Sequence, residues 1–365
     1  MNIRDIALRR IIDSRGIPTI EAEIRTKTGF GRAAAPAGAS TGTHEAVAWP
    51  EGSVSKGMQA AEKKVLPQLI GLSSDDQENF DKTLRDIDGT TNFSNIGGNV
   101  TVALSLACAK AAADSKEIGL YEHVGKTDGY ALPAPMSNVL GGGAHAIGGT
   151  DIQEFYVTSF TDDVNSAIEA NAAVHKKVGS MLKEKFPNIA LGKGDEGAWV
   201  APMGNVDALE LVVNAANKVE NETGVEIRPG LDIAASEFYK DGKYRYKEQT
   251  LTPEKQVDFV AGLIEEYDLH SVEDPLDQED FESWANLTEE TDALIIGDDL
   301  YVTNTERLQK GIEMGSTNSI LIKPNQIGTL TDTINAVELA NKADMATVIS
   351  HRSGETTDST IAHLG

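Results

Sequence analysis

The chain has 365 residues, 40% of them hydrophobic, with Asp+Glu 57 against Lys+Arg 32 and a formal net charge of -25. A field of that sign repels nucleic acid and anionic membranes. The single cysteine, Cys108 in the apolar run VALSLACA, excludes an intramolecular disulfide. The length allows two domains, or one barrel with an attached piece. The start MNIRDIALRR carries charges where a secretory signal needs an apolar stretch, and no run is long enough to span a bilayer, so a cytoplasmic location is the expectation.

Residues 3–36 alternate apolar and polar in three runs, IRDIALRRII, IPTIEAEIRT and GFGRAAAP, broken by the turn signals SRG and KTG. That pattern predicts an antiparallel meander. From Ser55 to about Val124 the period turns helical. Ala60, Val65, Leu66 and Leu69 mark one face, Val102, Leu106, Ala109 and Ala113 another, with Asn99 as the N-cap of the second helix. The stretch LPAPMSNVLGGG (132–143) reads as a boundary, since two prolines are followed by three glycines. We therefore expect an α+β capping domain over 1–126 and a larger domain over 132–365. In the latter, QEFYVTSF is strand-like, 163–186 and 206–221 are helical, and five further strands alternate with helices. A β-run, then helices, then βαβα is the pattern of an α+β cap followed by a β/α barrel.

Those five strands each end on an ionisable residue: Asp232 in EIRPGLD, Glu273 in LHSVE, Asp298 in ALIIGD, Lys323 in NSILIK and His351 in TVISH. Strand-to-helix units closing into a barrel place such ends on one rim. Any one acid at a strand end can simply cap the next helix. Three in consecutive units, then a lysine, favour a shared site in which oxygen ligands hold Mg²⁺ or Mn²⁺ rather than zinc. Beside such charges the Lys323 ammonium would be disfavoured, leaving a free amine base.

Other segments supply candidates. GKGDEG (192–197) fits G-x-G-x-x-G, but no helical period follows, and Asp195 and Glu196 would repel a pyrophosphate. It reads instead as a Gly-flanked acidic pair whose backbone approaches a ligand. PAGASTGTHEA (36–46), with Ser40, lacks the Gly-Lys-Ser/Thr of a P-loop and has the composition of a lid. GGGAHAIGGTDIQEF (141–155) sets His145 in a glycine-rich loop, with Gln153 and Glu154 at the following strand. SHRSGET (350–356) joins His351, Arg352 and Ser353 before an expected helix near Thr357, an arrangement suited to clasping phosphate.

Taken together, SRGIPTIEAE, PAGASTGTHEA, GGGAHA…QEF, GDEG, LDIAASEFYKDGKY, SVEDPL, GDDLYVTN, LIKPNQIGTL and SHRSGETTDSTIA resemble the blocks of the enolase family, in the family's order and over the whole chain. The resemblance implies an α+β cap and a modified β/α barrel whose early strands are not all parallel. It implies reversible dehydration of 2-phosphoglycerate to phosphoenolpyruvate with two Mg²⁺ ions. Asp232, Glu273 and Asp298 would hold the tighter ion and Ser40 would join the second. Lys323 would be the base at C2 and Glu196 the acid at the C3 hydroxyl, with Glu154 and His145 around that hydroxyl and the phosphate. Arg352 and Ser353 would contact phosphate, while Gln153 and His351 line the pocket. A homodimer or higher homo-oligomer is also implied. Ala198 and Trp199 depart from the residues that usually follow GDEG in the family. A further family lysine, on the last barrel strand, falls beyond Gly365. The expectation is a chain lacking the end of the barrel, either an incomplete copy or a truncated non-catalytic relative acting as a binding protein. A sugar-acid dehydratase or racemase of the same superfamily is the other rival, and it has no need of the clasp at Arg352 and Ser353.

Overall fold

The structure, a computed structural model, describes residues 1–125, 130–146 and 148–365. The expected cap boundary at residue 126 lies outside the described residues. The meander forms as expected, with antiparallel strands Asp5–Ile12, Pro18–Arg25 and Phe30–Ala34. Alternation in the middle strand sends Ile20, Ala22 and Ile24 into the core, while Glu21 and Arg25 face outward. Glu23 also lies on the outward face, yet it is buried under Arg9 and Arg32, which donate to its two oxygens at 2.9 Å each.

The alanine-rich helix Gly98–Ser115 packs on the inner face and is buried almost all round. It lies so close that a Cβ on Gly31 would sit 2.0 Å from the Ala107 carbonyl. The cap of this helix differs from the expectation. Gly97 is the N-cap, at φ 102, and Asn99 is a buried residue of the first turn. Only glycine takes that φ freely, and a side chain there would also meet the Ala48 carbonyl. Helix Gln77–Asp88 is capped by Asp76, whose carboxylate accepts from Asn79 N–H, and buries Phe80 and Leu84.

The larger sheet contains the five expected strands, Glu226–Asp232, Ser271–Glu273, Leu294–Gly297, Ser319–Ile322 and Ala346–Ile349, each parallel to its neighbour. Ser319–Ile322 is buried throughout, as a parallel strand covered on both faces requires. On the other side of Glu226–Asp232 runs Glu154–Phe160, antiparallel, and beyond it Met136–Gly141, antiparallel again. The early strands are thus not all parallel. Among the described residues Ala346–Ile349 pairs only with Ser319–Ile322. Helices Val164–Lys185, Asn205–Thr223, Pro253–Tyr267, Phe281–Glu290, Thr305–Met314 and Leu330–Lys342 follow strands or loops of the sheet. The helix expected near Thr357 runs Thr360–Leu364. Asp358 ahead of it accepts from Thr360 N–H and is bound by Lys110, which explains the later start.

The cap grips the barrel at one helix end. Ser105 Oγ accepts the Leu330 N–H at 2.9 Å, and Asp81 accepts both Thr331 N–H and its hydroxyl. These cap residues satisfy donors that the first turn of Leu330–Lys342 would otherwise leave unpaired. The loop carrying Lys323 is thereby held against the cap.

Candidate active site

Register places the polar groups on one rim. Glu273 pairs with Asp232, and Glu154, the first residue of its antiparallel strand, pairs with Asp232 from the other side. Gly141 pairs with Glu154, so the glycine-rich loop bearing His145 leaves the sheet at the same level. Asp298, Lys323 and His351 follow the ends of their strands. A cavity of about 40 Å³ opens between Ser40, Glu154, Glu196, Asp232, Lys323 and Arg352.

Lys323 Nζ donates to Asp298 Oδ2 at 2.5 Å, and Gln326 Nε2 donates to Asp298 Oδ1 at 2.7 Å. Burial alone would strip the proton from Lys323, but Asp298 and Glu273 outweigh it and raise its pKa. The protein's own anions thus favour the ammonium, whereas the free amine expected from the sequence depends on bound cations beside it. Asp298 in turn is lowered, since Lys323 overcomes the burial that opposes ionisation. Gln153 Nε2 donates to Asp232 Oδ2 at 2.8 Å. Burial nevertheless pushes Asp232 up to about 7. Glu273 goes well above its ordinary value through burial and the charges of Asp232 and Asp298.

The trio Asp232, Glu273 and Asp298 is not among the described sets whose ligand atoms all lie within 4.8 Å. Those sets are His145, Glu154 and Glu196, and Asp274, Asp298 and Asp299. Asp298 is drawn toward Lys323 and Gln326, which each donate to one of its oxygens. The donor set still fits a hard cation. It is all oxygen, Asp232 and Asp298 are buried, and Asp232 and Glu273 are disfavoured as anions by their surroundings. Gln153 Oε1 is in addition buried there without a hydrogen-bond partner.

Across the cavity, Glu196 is paired with His351 Nε2 at 3.0 Å and with Asn138 Nδ2 at 3.1 Å. His145 Nδ1 lies 3.2 Å from Glu154 and 3.6 Å from Glu196, without a well-directed hydrogen bond to either. Burial would raise Glu196, but the imidazoles beside it win and hold it low. Glu154 is driven well above its usual range by burial and by the charge of Glu196. The two carboxyls thus titrate as a coupled pair, one pushed up and the other down. Burial also lowers the His145 pKa.

The expected clasp is occupied by protein groups. Arg352 donates to Glu45 Oε2 and Oε1 at 2.9 and 3.0 Å, to Asn325 Oδ1 at 3.0 Å and to the Ser40 carbonyl at 3.2 Å. Ser353 Oγ accepts the Ala39 N–H at 2.6 Å. The loop of Ser40 is thus pinned over the cavity by the residues expected to meet phosphate. Eleven of the twelve sequence candidates line this cavity, and the twelfth, Asp298, stands behind Lys323 and is bonded to it. The groups sequence reasoning passed over are Glu45, Asp274, Asp299, Asn325 and Gln326. Their signal was present in the acidic doublets of SVEDPL and GDDLYVTN and in the KPNQ that ends LIKPNQ.

A β/α-barrel enzyme, with its polar groups gathered at the strand ends, is the class that this fold and rim define. Residues 3–124 match the family described as "Enolase, N-terminal domain", and residues 129–365 match "Enolase, C-terminal TIM barrel domain". A relative named Enolase from Halorubrum lacusprofundi is 50% identical over 369 residues, covering 99% of this chain and 91% of its own. Another from Methanothermobacter thermautotrophicus is 48% identical, covering 99% and 89%. A third, from Thermoplasma acidophilum, is 44% identical, covering 99% and 90%. The chain belongs to the enolase family.

Proposed function

We propose that the protein interconverts 2-phosphoglycerate and phosphoenolpyruvate plus water, as a carbon–oxygen lyase of glycolysis and gluconeogenesis. The observation that carries this reading is the meeting, on one rim, of the acids Asp232, Glu273 and Asp298 with Lys323, opposite the Glu154–Glu196 pair. The identity shared with enolases over 99% of the chain supports it.

Asp232, Glu273 and Asp298 would hold one Mg²⁺, with Ser40 at a second. When bound, the ions supply positive charge beside the substrate carboxylate, where negative charge develops. With cations offsetting the charge of Asp298, Lys323 would release its proton to solvent and, as the free amine, take the proton from C2. The Glu154–Glu196 pair delivers its proton to the C3 hydroxyl, which departs as water. Glu196 is the residue assigned to that delivery; because His351 and His145 hold its pKa low, it would first take up the proton that the neighbouring Glu154 favours. Arg352 and Ser353 meet the phosphate once the loop of Ser40 exchanges its hold on them. Gln153 and His351 shape the pocket between the two halves.

We further propose a cap over 1–126, a barrel domain over 132–365, a homodimer or higher homo-oligomer, and a place in the cytoplasm. Among the described residues no helix is long and apolar enough to cross a membrane. The direct test is incubation of purified protein with 2-phosphoglycerate and Mg²⁺. Phosphoenolpyruvate should accumulate until the equilibrium ratio is reached, and its absence at saturating Mg²⁺ would overturn the reading.

A further inference from the structure

Two consecutive β-branched residues, Val302 and Thr303, have left-handed backbone, at φ 45 and φ 56. For a β-branched residue that region is a steric outlier, and strain of this kind persists only where the surroundings over-determine it. Glycine or asparagine would fill the turn without strain. The sequence keeps Val-Thr, so the Thr303 side chain is the feature to explain.

Thr303 is fully buried, and its hydroxyl sits in a closed ring of hydrogen bonds. The Lys323 backbone N–H donates to Thr303 Oγ1 at 2.9 Å. Thr303 Oγ1 donates to Gln326 Oε1 at 2.9 Å, and Gln326 Nε2 donates to Asp298 Oδ1 at 2.7 Å. The Lys323 ammonium closes the ring on Asp298 Oδ2 at 2.5 Å. Gln326 is buried as well, and its own N–H and carbonyl are fixed by Lys323 and Ala46. The turn itself is pinned where Val302 N–H donates to the Asp298 carbonyl at 2.7 Å. Each Asp298 oxygen therefore has one assigned donor, and the backbone of Lys323 hangs from the same threonine that orients Gln326.

We propose that Thr303 and Gln326 are positioning residues, which hold the Asp298 carboxylate and Lys323 at a fixed mutual geometry for cation binding and proton abstraction. Neither residue touches the cavity; both act through Asp298 and Lys323. The ring explains the retained strain, because a glycine at 303 would relax the turn and lose the hydroxyl. The inference rests on the functional reading above for its kinetic arm, but not for its binding arm.

The test compares Thr303→Val, which keeps shape and branching but removes the hydroxyl, with Thr303→Ser, which keeps the hydroxyl. Gln326→Leu and the double variant Thr303→Val/Gln326→Leu complete the set. Thermal unfolding titrated with Mg²⁺ gives the cation midpoint without any substrate. Turnover of 2-phosphoglycerate gives kcat and KM. Thr303→Val and Gln326→Leu should each lower kcat about tenfold or more, with KM little changed, since small misplacements of reacting groups cost that much. Both should move the Mg²⁺ midpoint to higher concentration. Thr303→Ser should stay close to wild type in both readouts. The double variant should fall no further than the worse single one, because both changes open one ring. Wild-type values in Thr303→Val and Gln326→Leu would overturn the proposal. So would failure of Thr303→Ser to the same degree as Thr303→Val, which would mark a packing role. A wild type that forms no phosphoenolpyruvate would sink the functional reading, and the Mg²⁺ midpoints would still decide this one.

Discussion

Glu154 and Asp232 stand opposite one another in register, although one opens its strand and the other closes its own. The antiparallel run of Glu154–Phe160 is what makes this possible. In an all-parallel barrel the first residue of a strand lies on the far face from the last residue of its neighbour. Here the reversal carries Glu154, with Gln153 just ahead of it, onto the rim of Asp232, Glu273 and Asp298. It also brings the loop of His145 there, through the pairing of Gly141 with Glu154. The groups assigned to acid–base work and those assigned to cation binding are thus brought to one rim.

If the acids of that rim hold the proposed cation, stability should depend on it. Asp232 and Glu273 are buried and disfavoured as anions, so a bound Mg²⁺ should stabilise the fold by mass action, by about 2.7 kcal/mol at a hundredfold excess over Kd. Asp232→Asn or Glu273→Gln should abolish the rise in melting temperature on adding Mg²⁺. A wild-type protein whose melting temperature ignores Mg²⁺ would refute the metal assignment.

Glu45 and Arg352 form a buried bidentate pair that ties the loop of Ser40 to the barrel. Removing one partner leaves the other charged and buried, a loss of about 3–5 kcal/mol for such pairs. Glu45→Ala should therefore destabilise strongly in denaturant titrations and expose residues 38–44 to protease. A loss below about 1 kcal/mol would mean that Arg352 finds other partners with ease.

Acid stability should register Glu23. Its hydrogen bond from Arg9, then that from Arg32, holds the folded carboxyl at about 2, below the ordinary 4.5. The folded state then binds fewer protons there than the unfolded state. The contribution is fully present above 4.5 and is lost as pH falls toward 2. Both arginines are half exposed, so solvent and salt weaken the effect. Glu23→Gln should be less stable than wild type at about pH 6, and the gap should close as the pH is lowered toward about 2. A gap independent of pH would contradict the pairing.

The legible part of the sequence was the part governed by period and punctuation. Alternation gave the meander, and the ionisable strand ends gave Asp232, Glu273, Asp298, Lys323 and His351, because strand direction alone sends them to one rim. The phosphate clasp at Arg352 follows from residue type ahead of an expected helix, but Gln153, Glu154 and Glu196 could be assigned roles only through the family resemblance. Their strands run against the barrel's direction, or they sit in loops, and local pattern carries no such information. The Asn99 cap was misplaced because Gly97 offers a positive φ that no side-chain preference reveals. The directions in which Lys323, Glu154 and Glu196 are shifted depend on which charges the fold brings together, and sequence spacing does not encode that. The second acid of each doublet, Asp274 and Asp299, was passed over for a related reason. Asp274 turns back to accept the N–H groups of Asp298 and Asp299, a contact made by the turn and not by either strand's pattern.

The division of labour between Lys323 and Glu196 is the centre of the account, and exchange of the C2 proton of 2-phosphoglycerate with deuterated solvent tests it most directly. Lys323→Ala should stop that exchange, because the lysine is assigned the proton at C2. Glu196→Gln should leave the exchange measurable while phosphoenolpyruvate formation falls, because that residue is assigned the later loss of the C3 hydroxyl. Exchange at the wild-type rate in Lys323→Ala would contradict the account, since some other group would then be the base.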